Sequence, residues 1–197
     1  MARVEGAARP VTTQQFQELT DIIRRKSTTP LRDIALLQMS FRAGLRAMEI
    51  AALQLDSILD ADGNIQRTIR LKKNGTKGAK GGIAYLSHPE LREALSAYLV
   101  LDRSSKTTKY KNVFISRKGT PFSASSMSRL FSHLFRRGGL DGYTCHSGRK
   151  GLARALNEQN VSVYNIQKIL RHSNIQTTVT HYLSVDEDTL ANLVEGV

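Results

Sequence analysis

Thr144-Cys145-His146-Ser147-Gly148-Arg149-Lys150 is followed by Leu170-Arg171-His172 and then by Thr180-His181-Tyr182. The residue types suit one kind of chemistry. An arginine grips a phosphate with its planar fork, imidazoles move protons near neutral pH, and a phenol can attack phosphorus. His146 and Arg149 are three apart at a helix start and so share a face. Each residue also has an ordinary explanation by itself: His-x-x-Arg is a common pair, and Tyr182 is one of six tyrosines. The pattern gains weight from its surroundings.

Upstream, Ala43-Gly44-Leu45-Arg46-Ala47-Met48-Glu49-Ile50 supplies a second arginine at a helix start, with an acid three positions later. Between the two arginine regions lies Asn74-Gly75-Thr76-Lys77-Gly78-Ala79-Lys80-Gly81-Gly82. A glycine-rich basic turn can approach a nucleic-acid backbone closely because no Cβ intervenes. It is not a nucleotide-binding loop, since the Gly-x-x-x-x-Gly-Lys-Ser/Thr order is missing.

The order Arg46, lysine loop, His146, Arg149, His172, Tyr182 resembles the catalytic domain of the tyrosine recombinase (phage integrase) family. The resemblance implies that Arg46 and Arg149 hold the scissile phosphate, that Glu49 orients Arg46, and that Tyr182 is the nucleophile. It implies proton transfer or phosphate contact for His146 and His172, and a hairpin lysine as the general acid for the leaving 5′-oxygen. Lys77 fits that place best, standing before a glycine and another lysine, with Lys80, Lys73 and Lys72 as competitors. The chain departs from the family pattern at Ala43, Ser147-Gly148 and Lys150, and at Arg171, where many relatives have glycine. DNA contacts are expected from Lys72, Lys73, Lys80, Arg136, Arg137, Lys150 and Arg171. The family implies a homotetramer on two recombination sites of double-stranded DNA, with a DNA-bending accessory protein as a further partner. Two other functions fit the resemblance: a type IB topoisomerase-like relaxase, and a non-catalytic DNA-binding regulator of the same fold.

Composition agrees with a polyanionic partner. The 197 residues hold 29 Lys and Arg against 17 Asp and Glu, a formal net charge of +12, and such a balance favours nucleic acid. The charge is concentrated in the lysine loop and between Arg129 and Arg154, whereas residues 184–197 carry Asp186, Glu187, Asp188 and Glu195 and no base. That acidic tail would be repelled by DNA and is expected to pack on protein, its own or a neighbouring subunit's. Cys145 is the only cysteine, so no intrachain disulfide can form and a reducing compartment is expected. No apolar run approaches membrane-spanning length, which points to a cytoplasmic, nucleoid-associated protein. The five histidines lack paired ligand spacing, and neither metal nor cofactor is expected.

Periodicity predicts a mainly α fold with a small antiparallel β-sheet. Helices are expected over Gln15 to Arg25, Leu31 to Ala43, Arg46 to Leu53, Pro89 to Leu101, Ser123 or Ser125 to Arg137, Gly148 to Gln159, Val163 to Leu170 and Ile175 to Tyr182. Strands are expected over Ile65 to Leu71 and Ile83 to Leu86, flanking the lysine loop, with a third over Leu53 to Leu59. Residues 1–10 read as a flexible leader, 11–183 as one catalytic domain, and 184–197 as the tail. With barely a leader before the catalytic domain, the chain resembles either an isolated catalytic fragment or a short family member without the usual N-terminal DNA-clamping domain.

Overall fold

The computed structural model of the chain describes residues 8–71, 81–105 and 108–182, the side chains of residues 180–182 excepted. Lys72, Lys73, Lys77, Lys80 and the acidic tail therefore lie outside the described residues, as does most of the leader.

The first helix, α1 (Thr13–Lys26), begins where Thr12 Oγ1 accepts the Gln15 N–H and Gln15 Oε1 accepts the Thr12 N–H. This reciprocal cap satisfies two donors that a helix start leaves open. Helix α2 (Pro30–Phe41) opens on a proline, whose missing N–H costs nothing there. It runs through the centre of the molecule with every residue from Arg32 to Phe41 buried, and packs against α1, α5 (Pro89–Ala97) and α7 (Ser147–Glu158). Phe16 and Phe41 stack across the α1–α2 contact with centroids 4.1 Å apart.

Gly44, with φ at +60°, turns the chain out of α2 towards α3 (Ala47–Ala52). That left-handed conformation suits glycine. The α2–α7 contact depends on two further glycines. A Cβ on Gly148 would come within 2.6 Å of Ser40 Oγ, and one on Gly151 within 2.3 Å of the Val11 carbonyl oxygen and 2.7 Å of Phe41 Cε2. Gly151→Ala is therefore expected to destabilise the fold by about 1–3 kcal/mol through overpacking, despite alanine's better helix propensity. Urea denaturation of the variant beside the wild type measures this.

The remaining helices are α4 (Leu55–Ile58), α6 (Ala124–Arg137), α8 (Val163–Leu170) and α9 (Ile175–Tyr182). Ser123 caps α6 and Ser162 caps α8 through their hydroxyls. One antiparallel pair forms the sheet, β1 (Thr68–Leu71) with β2 (Gly82–Tyr85), in the register Thr68 to Tyr85 and Leu71 to Gly82. The expected mainly helical fold with a small antiparallel sheet is what the chain adopts.

Three local expectations need correction. The third strand over Leu53 to Leu59 does not form. Ser57 Oγ donates to the Gln54 carbonyl and accepts the Gln54 N–H, which closes the helical turn α4 and leaves only single bridges from Gln54 to Asn112 and from Leu59 to Ile65. The strand after it is shorter than expected. The Gln66 N–H turns to the Ile58 carbonyl, so pairing with β2 begins at Thr68. Finally, α5 stops at Ala97 and a π-helical turn, Tyr98–Arg103, carries the chain on. There the Tyr98 hydroxyl donates to the Val113 carbonyl, and Arg103 reaches the carbonyls of Tyr110 and Asn112.

Candidate active site

The Gly44 carbonyl is where separate parts of the chain meet. It accepts a hydrogen bond from Arg149 Nη1 and another, at 2.9 Å, from Arg171 Nη2. Its glycine conformation turns this oxygen away from the helical ladder of α2, so donors from outside the helix can use it.

Arg149 lies on the third residue of α7 and is 1 % exposed. Its Nη2 donates to the carbonyl of Leu170, the last residue of α8. A helix C-terminus leaves carbonyls unpaired and partly negative, so a guanidinium there gains both a hydrogen bond and a favourable dipole contact. A small apolar cluster of Ala153, Ile166 and Leu170, backed by Leu152 and Leu156, fixes α7 against α8 and sets this distance.

Arg46 caps α3, and Glu49 reaches back from its first turn. Glu49 Oε2 accepts the Arg46 main-chain N–H at 2.7 Å, and Oε1 accepts Arg46 Nη1 at 2.8 Å. Glu49 thus makes two contacts with Arg46, the residue that the family resemblance expects it to orient. Burial alone would raise the Glu49 carboxyl. The Arg171 guanidinium, the Arg46 N–H, and the charges of Arg46 and Arg149 outweigh it and hold the group below the ordinary carboxylate range. Arg46 keeps 31 % of its side chain exposed, so a guanidinium anchored by a partly buried acid remains open to solvent.

Arg171 sits where the expected surface contact with DNA is hard to make. Its side chain is 5 % exposed, and Nη2 donates to both Glu49 Oε2 and the Gly44 carbonyl, each at 2.9 Å. Nη1 donates to the Ile169 carbonyl. The backbone takes φ of 55° and ψ of 42° at the C-cap of α8, a conformation that costs a branched-off side chain about 1–2 kcal/mol relative to glycine. Burial and the pull of Glu49 act oppositely on its charge, with burial dominant, so Arg171 titrates below the usual arginine range. The sequence carried one signal of this placement: Arg171 departs from the glycine that the family resemblance leads one to expect.

His172 follows at once. Its Nδ1 lies 2.9 Å from the hydroxyl of buried Thr178, and its carbonyl accepts Gln167 Nε2. These contacts fix the ring against the start of α9, whose last residue is Tyr182. The Tyr182 side chain is not among those described. A cleft of about 410 Å³ lies beside His172, lined by Gly82, Tyr85, Lys168 and Arg171 among others, and so opens between the hairpin base and α8.

His146 lies three residues before Arg149. It caps α7 at an exposed position, where its ring meets Cys145. Burial would raise that thiol, but hydrogen bonds with His146 and Ser128 lower it overall. Of the expected DNA contacts, Arg136 and Arg137 are exposed at the end of α6, Arg136 lying 3.6 Å from Asp141, and Lys150 is half-buried, which lowers its ammonium. Among the described residues no three His, Cys, Asp or Glu side chains come together as a metal site, and no helix is long and apolar enough to cross a membrane.

Comparison with known proteins shows the family. The model of the phage integrase family matches residues 9–188. The chain is 28 % identical over 189 residues to transposase A from transposon Tn554 of Staphylococcus aureus, covering 92 % of this chain and 51 % of that protein. It is 26 % identical over 181 residues to tyrosine recombinase XerC of Chlamydia muridarum, covering 87 % and 53 %. The chain thus spans about half the length of the curated relatives it matches. The crystal structure of XerA recombinase superposes with a TM-score of 0.76 at 23 % identity, over 95 % of this chain and 64 % of that one.

Proposed function

The chain belongs to the phage integrase family, and from that premise we propose that it carries out site-specific DNA recombination through a 3′-phosphotyrosyl intermediate. The observation that carries this reading is the arginine network. Arg46 and Arg149 descend from distant parts of the sequence onto one short turn, Arg46 through Glu49 and Arg149 through the Gly44 carbonyl, with His172 two residues beyond the Leu170 carbonyl that Arg149 holds. Such a cluster of fixed cations suits a phosphate whose charge grows in a five-coordinate transition state.

In this mechanism the guanidinium groups of Arg46 and Arg149 bind the non-bridging oxygens. The Tyr182 oxygen gives up its proton to a neighbouring base and forms a bond to phosphorus as the bond to the 5′-oxygen breaks. Lys77 delivers a proton to that oxygen, and His146 and His172 assist with protons and phosphate contacts. The phosphotyrosyl bond keeps the energy of the phosphodiester, so a 5′-hydroxyl from another strand reverses the step with no metal and no ATP. Two such exchanges in a homotetramer on two sites of double-stranded DNA, helped by a DNA-bending protein, recombine duplexes. Residues 11–183 make up the catalytic domain in this reading.

A duplex nicked close to the cleavage position traps the intermediate, because the short 5′-fragment diffuses away. The chain is expected to become covalently attached to the 3′-end, and to pass that strand to a second duplex bearing a free 5′-hydroxyl. Attachment without transfer would favour a relaxase, and no attachment would leave a DNA-binding regulator.

A further inference from the structure

Arg171 is a residue that the mechanism above does not use, yet it binds three parts of the site at once. Its Nη2 bridges Glu49 and the Gly44 carbonyl. Its aliphatic stem lies on the base of the hairpin, so close that a Cβ on Gly82 would stand 2.9 Å from Arg171 Cδ and 3.1 Å from Cγ. Its backbone turns directly into His172. A non-glycine residue with positive φ persists where its surroundings hold it there, and here the holding groups are parts of the candidate site.

We propose that Arg171 is a positioning residue for strand cleavage. It clamps Glu49 and the Gly44 turn against the base of the β1–β2 hairpin, and so sets the Arg46 fork for the scissile phosphate. This rests on the recombinase reading. The geometry gives the reason. Glu49 Oε1 holds the Arg46 fork, while Oε2 is shared by the Arg46 N–H and Arg171 Nη2. Without Arg171, Oε2 keeps only a main-chain donor, and the carboxylate can rotate away from the plane that presents Arg46. Arg171 also closes the gap between Glu49 and the hairpin that carries the lysine loop.

The clamp has an electrostatic consequence. Among the described residues, the charged groups facing Glu49 are Arg46 from its own turn, Arg149 from α7 and Arg171 from the end of α8, with Arg70 of β1 lining the adjoining cavity. Glu49 titrates below its ordinary value, so the ionised network stands above that pH and is lost as pH falls through it. Removing Arg171 takes away the largest of the influences that hold the carboxyl down against burial. The loss then begins at higher pH.

The test uses the full chain and the nicked duplex in single turnover. Arg171→Gly relieves the backbone strain and deletes the guanidinium. It is expected to slow adduct formation about 10–100-fold at neutral pH, the range typical of groups that orient a primary ligand, and to move the acid limb of the rate upward. Arg171→Lys keeps a charge for Glu49 without spanning both acceptors, and should recover part of the rate. In a Glu49→Gln background, Arg171→Gly should cost little more, because the two act as one unit. A carbon-13 titration should find the Glu49 carboxyl raised in both Arg171 variants. Wild-type rate with an unmoved acid limb in Arg171→Gly, or an equal loss in both backgrounds, overturns the proposal. If Arg171→Gly does not fold, Arg171→Lys is read by the same criteria. A wild-type chain that forms no adduct refutes the recombinase reading instead, and the carboxyl titration then still reports whether Arg171 holds Glu49.

Discussion

Tyr182→Phe is expected to form no covalent adduct with a nicked duplex, a loss on the order of 10⁴-fold or more, the scale seen when a nucleophile is deleted. The substitution removes one oxygen, the atom that would bond to phosphorus, and keeps the ring. DNA affinity should stay within a few-fold of wild type, because phosphate contacts come from basic side chains that the change leaves alone. Denaturing gel electrophoresis of labelled DNA reads the adduct, and a mobility shift under native conditions reads binding. Cleavage by the Phe variant would remove Tyr182 from the nucleophile's role. His181 beside it would not restore a phosphotyrosine.

The second large effect is expected at Arg149, and it has two parts. Arg149→Ala strips donors from the Gly44 and Leu170 carbonyls and empties a site that is 1 % exposed. The Gly44 carbonyl keeps Arg171 Nη2, so the acceptor left without its side-chain donor is Leu170, at about 1–3 kcal/mol; with the cavity added, the fold should lose about 2–5 kcal/mol in urea denaturation. In the proposed chemistry the same change removes a charge-stabilising group, which costs a further 10²–10³-fold or so in rate. Arg149→Lys separates the two parts. An ammonium retains the charge but cannot span two carbonyls as a planar fork does, so it should remain impaired in adduct formation even at a temperature where it is fully folded. Wild-type rates in folded Arg149→Ala would sink the phosphate-binding role.

The local readings that held share a cause. Helices α8 and α9 have the bounds the pattern predicts, Val163 to Leu170 and Ile175 to Tyr182, and α6 begins at the expected serine cap. Their caps and apolar faces are encoded within a few residues. Where the reading missed, the deciding contact was made elsewhere. Leu53 to Leu59 alternates well enough for a strand, yet the Ser57 hydroxyl and the burial of Ile58 close it into a turn. The helix after Pro89 has no local stop signal at Ala97. Tyr98 and Arg103 there bond to the distant segment 110–113.

The site divides along the same line. Arg46 with Glu49 was legible because the two are three apart on a helix start, where a carboxylate returns to its cap. The order of Arg46, His146, Arg149, His172 and Tyr182, the basic charge and the helical fold were all determined by the sequence itself, since each lies in residue identity and short-range spacing. Tertiary structure alone decided that Arg149 and Arg171 share the Gly44 carbonyl, and that Arg171 points inward to Glu49. It also decided that Gly148 and Gly151 let α7 approach α2. Those are contacts across more than a hundred residues, where the partner of a buried charge is set by which elements pack together and by no local pattern.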